Sequence, residues 1–270
     1  MRDLSKRVPI RGRGYSLVSQ ACGPLSCYMY ALVCETTKEA AVIDPSFVNP
    51  TEFKALKDFL EKKNANLKHV LLTHGHPDHV MGVDEMMNTW TEASLHLHPM
   101  EDENYRRSRE MGFEFGLRLP DTPLPTPTHE LQEGGVVRIG DNIELSVVHT
   151  PGHSPGHVSF IDRRSFEEPT KDGNNDNTNN HNKHVGVMIS GDLLFQGSVG
   201  RTDFHNSSLD DLYASIRRLY DVFDDKSIVL SGHTTPTYLK KERLSNPFVD
   251  LALKRPQEWY DEVKERHGWL

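Results

Sequence analysis

Short apolar-rich runs and an amphipathic stretch make the N-terminal third alternate between strand and helix patterns. Tyr15–Gln20, Ser26–Glu35 and Ala40–Ile43 read as strands, with Thr36–Glu39 as a hairpin turn. Asp44-Pro45 stops the third strand, and Asn49-Pro50-Thr51-Glu52 opens a helix that places Phe53, Leu56, Phe59 and Leu60 on one face. His69–Thr73 is a short apolar run that predicts a buried strand. Residues 84–110 predict a helix, a strand at Ser94–His98 and a second helix. Asp121–Thr128 contains Pro123, Pro125 and Pro127, which predicts a rigid extended connection.

A second strand-rich half begins at Glu130. Val136–Ile139, Ile143–His149 and His157–Asp162 predict strands, and Gly134-Gly135 and Gly140-Asp141-Asn142 supply turns. Residues 165–184 break the pattern with an Asn-rich stretch that cannot bury a core. Lying between the strands His157–Asp162 and Val185–Ser190, it predicts a disordered insertion in a hairpin, with His181 and His184 solvated. Leu209–Tyr220 then predicts a helix, Ile228–Leu230 a strand, and the remainder a helical tail. Two such halves facing each other make a four-layer αββα sandwich, which periodicity alone does not establish.

Composition narrows the class. A chain of 270 residues suits one large α/β domain or two small ones, and 36% hydrophobic with 26% charged residues is ordinary for a globular protein. The net charge of −8 argues against nucleic acid or an anionic membrane as the main partner. No apolar run approaches the roughly 20 residues of a membrane span, and no secretory signal is evident. Residues 1–14 carry Arg2, Lys6, Arg7, Arg11 and Arg13 but also Pro9, Gly12 and Gly14, so a flexible basic leader is expected rather than an organellar presequence. Cys22, Cys27 and Cys34 make an odd count, which points to reduced thiols. A cytoplasmic location is therefore expected ahead of a mitochondrion or other organelle. None of the cysteines lies near the histidine clusters in sequence, and structural roles are expected for all.

The chemistry concentrates in Thr73-His74-Gly75-His76-Pro77-Asp78-His79, directly after a predicted buried strand. Imidazole nitrogen and carboxylate oxygen suit zinc, iron and manganese. On a tight turn, residues two apart can converge on one ion, while the start of the next helix aims Asp78 and His79 at a second. His-x-His-x-Asp-His is the signature of the metallo-β-lactamase superfamily, and the chain resembles that family further along. Thr150-Pro151-Gly152-His153-Ser154-Pro155-Gly156-His157, Ser190-Gly191-Asp192 and Ser231-Gly232-His233 resemble its later motifs, in order.

This resemblance, running from about Tyr15 to Phe248, implies an αββα metallo-β-lactamase sandwich over residues 15–248. It leaves 1–14 as leader and 249–270 as a short helical extension. It implies His74, His76, His153 and Asp192 as ligands of one divalent metal, and Asp78, His79, His233 and the same Asp192 as ligands of another. Zinc is expected first, with iron or manganese as alternatives. A water shared by the metals would be acidified toward neutral pH. Asp78 and Asp192 are the candidate catalytic residues. His149 and His157 are expected to support the ligands or to pack. His69, His96, His98, His129, His205 and His267 match no motif and are expected to be structural or superficial.

Gly191–Phe204, with its Gly200-Arg201-Thr202-Asp203 run, resembles the glyoxalase II-like branch, the hydroxyacylglutathione hydrolases. So do Glu242–Phe248, Phe115–Leu117 and the proline-rich stretch before Glu130. The reaction implied is hydrolysis of a glutathione thioester such as S-D-lactoylglutathione. The expected partner is that small molecule, with no nucleic acid and no membrane, and the protein a monomer or small homo-oligomer. Longer members hold glutathione with a helical C-terminal domain that this sequence mostly lacks. Arg201 is then the candidate substrate-binding residue, unless it only pairs with Asp203; Lys240, Lys241 and Arg243 are weaker candidates. Gly232-His233-Thr234 departs from the usual Gly-His-Gly. The main rival is a persulfide dioxygenase, a mononuclear iron enzyme sharing Gly-Arg-Thr-Asp-Phe. In that family a glutamine follows the Phe and the last ligand motif reads differently; here His205 follows Phe204. Lactonase, β-lactamase, nuclease and non-enzymatic scaffold readings fit less well, the last because scaffolds usually lose ligands.

Overall fold

The computed structural model describes residues 1–4, 14–119, 121–162 and 185–269. The first half contains β1 (Arg2–Asp3), β2 (Tyr15–Cys22), β3 (Cys27–Cys34), β4 (Glu39–Ile43), α1 (Pro50–Lys62) and β5 (Asn66–Leu71). It continues with α2 (Pro77–Val80), α3 (Val83–Thr89), β6 (Ser94–Leu97), a 3-10 turn (Pro99–Glu101), α4 (Asp102–Glu114) and β7 (His129–Glu130). The second half contains β8 (Val136–Ile139), β9 (Ile143–His149), β10 (Val158–Asp162), β11 (Val187–Gly191), β12 (Leu194–Phe195) and β13 (Ser198–Val199). It closes with α5 (Leu209–Val222), β14 (Ile228–Ser231), β15 (Thr237–Tyr238), α6 (Leu239–Ser245), α7 (Pro247–Leu253) and α8 (Gln257–His267).

Strands β1 to β7 form one seven-stranded sheet in sequence order, and a six-stranded sheet runs β15-β14-β11-β10-β9-β8. Side-chain alternation along each strand builds four layers from these two sheets. On β3, Tyr30, Leu32 and Cys34 face the other sheet, meeting Leu145, Phe160, Ile189 and Leu230 in a central core. The intervening Met29, Ala31 and Val33 face outward onto Phe53, Leu56 and Leu60 of α1. The second sheet repeats this: Val187 and Ile189 of β11 point inward, while Met188 packs on Leu212, Ile216 and Leu219 of α5. The fold is thus the expected αββα sandwich.

Local chemistry sets the element ends that matter. The Asn49 side chain accepts the Thr51 and Glu52 amides at 3.0 Å, with Pro50 in the first turn of α1. Parallel strands β4 and β5 both end at the same rim, where the histidine motif leaves β5. Among the described residues, no helix is long and apolar enough to cross a membrane.

Three expectations need correction or lie outside the description. Arg2 and Asp3 pair with Ser19 and Val18, and Leu4 is buried, so the segment expected as leader begins as an edge strand. A two-residue strand is too short to show periodicity; residues 5–13 lie outside the described residues. The boundary expected after Phe248 cuts through α7, whose Val249 and Ala252 share the α5 core, while Tyr260 and Val263 of α8 pack on Ala214. The expected Asn-rich insertion at 165–184, with His181 and His184, also lies outside the described residues; β10 and β11 beside it are antiparallel partners.

Candidate metal centre

All the site residues expected from sequence come together at the rim where β5, β11 and β14 end. The chain leaving β5 is anchored first: Asp44 accepts the Thr73 N–H at 2.8 Å and the Thr73 hydroxyl at 2.7 Å. Since the Thr73 hydroxyl donates to Asp44, its lone pairs face His74 Nδ1 at 3.0 Å. His74 then donates from Nδ1 and keeps Nε2 bare, and that buried atom has no hydrogen-bond partner. Pro77 starts α2, so Asp78 and His79 occupy its first turn.

The other rings are oriented in the same manner. His79 Nδ1 donates to Asp44 at 2.9 Å, His153 Nδ1 to the Arg201 carbonyl at 2.8 Å, and His233 Nδ1 to the Leu25 carbonyl at 3.1 Å. Each bond fixes a ring and turns its Nε2 toward Asp192. Asp192 Oδ1 lies 3.3 Å from His79 Nε2; Oδ2 lies 3.4 Å from His233 Nε2 and 3.6 Å from His153 Nε2. Asp78 Oδ2 lies 3.1 Å from His233 Nε2. His76 Nδ1 and His153 Nε2 are 2.8 Å apart, close enough that a proton or a cation must sit between two lone pairs.

Glycines make this closeness feasible. Gly191 has φ of 49°, and a Cβ there would meet His157 and Thr73 at 2.7 Å. A Cβ on Gly232 would collide with the Asp192 carboxylate.

Electrostatically the centre has two halves. Burial, reinforced by the surrounding imidazoles, holds His74 and His76 well below the ordinary histidine range, and burial also lowers His153. These are neutral rings with free lone pairs. On the other side burial opposes charge on His79, but Cys27, Asp192, Asp78 and Asp44 outweigh it and raise the group well above its usual value. His233 is pushed up to about 11 against its burial by Asp192 and Asp78. Burial raises the Asp192 carboxyl, but His233 and His79 prevail and hold it well below the usual range. Protons there occupy ground that divalent cations would contest.

Buried atoms without partners at His74 Nε2 and Asp192 Oδ1 are what a metal would satisfy. Donor atoms of His74, His76 and His153, of His74, His79 and Asp192, and of Cys27, Asp78, His79 and His233 lie within 4.8 Å of one another in each group. The cluster fits a metal site.

Several contributors carry no sequence signal. Asp44 was expected only to end a strand, yet it orients His79. Glu101 is fully buried and accepts the amides of Gly75 at 2.8 Å and Gly156 at 2.7 Å, tying two histidine loops together. Cys27, expected to be remote from the histidines, places Sγ 3.6 Å from His79 Nε2, and burial pushes its thiol up. His157 supports the centre, accepting the Asp192 N–H at 3.0 Å. His149 stacks on His98, with ring centres 4.6 Å apart.

A hollow of about 280 Å³ opens above Asp192, with Leu25, Met111, Phe115, Leu117, Phe195 and Phe204 as its apolar wall and Arg201 at its edge. Arg201 forms an exposed two-point pair with Asp203 at 2.9 and 2.7 Å and lies over the Phe204 ring at 5.1 Å. Lys240 and Lys241 line a different hollow, and Arg243 binds Asp225 at 2.9 Å. Glu242 and Asn246 instead hold the β12–β13 hairpin: Glu242 accepts the Gly197 N–H at 2.7 Å, and Asn246 Nδ2 donates to the Ser198 carbonyl at 3.0 Å.

A sandwich with a histidine- and aspartate-lined cluster at its rim defines a metal-dependent hydrolase class. Residues 22–165 match the metallo-beta-lactamase superfamily, and the chain belongs to that family. It is 32% identical to hydroxyacylglutathione hydrolase GloC of Haemophilus influenzae, over 82% of this chain and 92% of that protein. The structure of TTHA1623 in a di-iron-bound form superimposes with a TM-score of 0.67 at 32% identity, covering 86% of this chain and 99% of that one. BLEG-1 B3 metallo-beta-lactamase does so with a TM-score of 0.67 at 30% identity and the same coverages, 86% and 99%.

Proposed function

We propose that the protein is a metal-dependent hydrolase of the glyoxalase II type, splitting a glutathione thioester such as S-D-lactoylglutathione into acid and thiol. The observation that carries this reading is Asp192, one carboxylate at the floor of an apolar hollow that reaches both donor sets: Oδ2 lies 3.6 Å from His153 Nε2 and 3.4 Å from His233 Nε2, and Oδ1 lies 3.3 Å from His79 Nε2. Bound at His74, His76, His153 and Asp192, and at Asp78, His79, His233 and Asp192, two divalent ions would supply Lewis acidity and an acidified water. Zinc suits these donors, as do iron and manganese.

The chain's own residues do the rest. Phe204 packs its ring against His76 and His153, with centroids 4.7 and 5.5 Å away, and so screens this side from solvent. Asp78 borders the hollow, where it orients the attacking water and handles its proton. Arg201 stands at the edge, where it meets a carboxylate of the glutathione moiety. The likeness to GloC supports this substrate class.

The test is release of free thiol from S-D-lactoylglutathione by purified protein. Turnover supports the reading. No thiol release, with oxygen uptake on glutathione persulfide and about one iron per chain, would replace it with the dioxygenase.

A further inference from the structure

From the geometry we infer that Cys27 is a ligand of the second metal, giving that site a thiolate beside His79, His233, Asp78 and Asp192. This rests on the dinuclear reading above and adds a donor to it. Cys27 opens β3 and is buried to 1% exposure. Its sulfur, the His79 and His233 ring nitrogens and an Asp78 oxygen lie within 4.8 Å of one another. The Sγ to His79 Nε2 separation is 3.6 Å. Zinc–sulfur and zinc–nitrogen bonds of about 2.3 and 2.1 Å, at the roughly 90–120° angles open to a five-donor site, place the two donors about 3.1 to 3.8 Å apart. The observed spacing is that of two ligands sharing one ion.

The surroundings hold the sulfur in place. The Ser46 hydroxyl donates to the Cys27 carbonyl at 3.0 Å, and the next amide, of Tyr28, donates to the Gly232 carbonyl at 2.6 Å. The neighbouring Leu25 carbonyl receives His233 Nδ1 at 3.1 Å. The β2–β3 hairpin and the His233 loop are thereby stitched together, with Cys27 and His233 on one side of the seam. His79 spends its Nδ1 hydrogen on Asp44, so Nε2 is the atom it turns toward the sulfur and Asp192 Oδ1. That oxygen, buried and without a hydrogen-bond partner, is a second donor aimed at the same place.

On binding, the Sγ–H bond breaks, its proton leaves to solvent, and the sulfur lone pair forms the bond to the metal; no electron changes hands. A soft thiolate biases this site toward zinc or cobalt over manganese.

Cobalt(II) loaded into the metal-free full-length protein tests this without any need for turnover. The wild type is expected to show an intense near-ultraviolet sulfur-to-cobalt charge-transfer band as the second equivalent binds. Cys22→Ala should keep the band. Cys27→Ala, checked for fold by circular dichroism, should lose it and bind the second cobalt at least about tenfold more weakly. Absence of the band from the cobalt-loaded wild type would overturn the inference, whatever the variants do. So would a band that survives in Cys27→Ala. A band with no thioester turnover would uphold the ligand and remove only the proposed substrate.

Discussion

Glu101 Oε2 accepts the backbone N–H of Gly75 at 2.8 Å, so a carboxylate outside the histidine motifs shapes the first of them. Asn104 Nδ2 donates to the same oxygen at 3.1 Å, while Oε1 holds Gly156 at 2.7 Å. A buried carboxylate is tolerable only when its lone pairs are used in this way. Glu101→Gln sets an amide NH₂ against a backbone N–H. The expected cost is about 1–3 kcal/mol of stability, together with reduced metal content. Chemical denaturation and metal analysis check both; a variant equal to wild type in both would remove Glu101 from this role.

Asp44 acts one hydrogen bond behind His79, a proposed ligand. Asp44→Asn can still accept from the Thr73 amide, but its NH₂ then confronts His79 Nδ1–H and Thr73 Oγ1. Such a supporting change typically weakens metal binding about 10- to 100-fold. Competition against a chelator measures this, and unchanged affinity would show that the His79 tautomer does not depend on Asp44.

The buried histidines away from the centre predict acid sensitivity. Burial, with His69 and His129 nearby, holds His96 down to about 3, and burial with His149 holds His98 to about 4. An unfolded histidine titrates near ~6.5. Below that pH the unfolded chain takes up protons that the folded rings refuse. Stability from these neutral rings is whole above about pH 6.5 and falls as pH drops toward the folded values. The Tm of metal-free protein should decline from about pH 7 to 5, and His96→Gln should flatten the decline. An identical slope in the variant would contradict the assignment.

The residues that gather at the centre were legible because each sits within a short motif following a strand whose apolar run is itself visible. The apolar runs of β3, β4 and β11 marked buried strands, but with both faces apolar they did not say which side chains meet the other sheet. Asp44, Glu101 and Cys27 were not legible, since their partners lie 35, 26 and 52 positions away and no local pattern marks them. Strands β1, β12, β13 and β15 span two residues each, below any window in which periodicity can register. The β12–β13 hairpin nonetheless carries Phe195 to the hollow, and Glu242 holds it there.

Arg201 separates binding from stability. Its pair with Asp203 is exposed on both sides, where water and salt screen it and it contributes little to stability. Arg201→Gln should leave Tm nearly unchanged. It should raise KM for a glutathione thioester about tenfold, as one charge-assisted contact is lost, with kcat little affected. A fall in Tm with KM unchanged would make the residue a loop brace.

The most direct test of the account is thioester hydrolysis by Asp192→Ala and His76→Ala beside wild type, with metal counted in each sample. The account predicts about two divalent ions per chain and turnover in wild type. It predicts folded variants that have lost metal and hydrolysis together. Hydrolysis retained by either variant would contradict it.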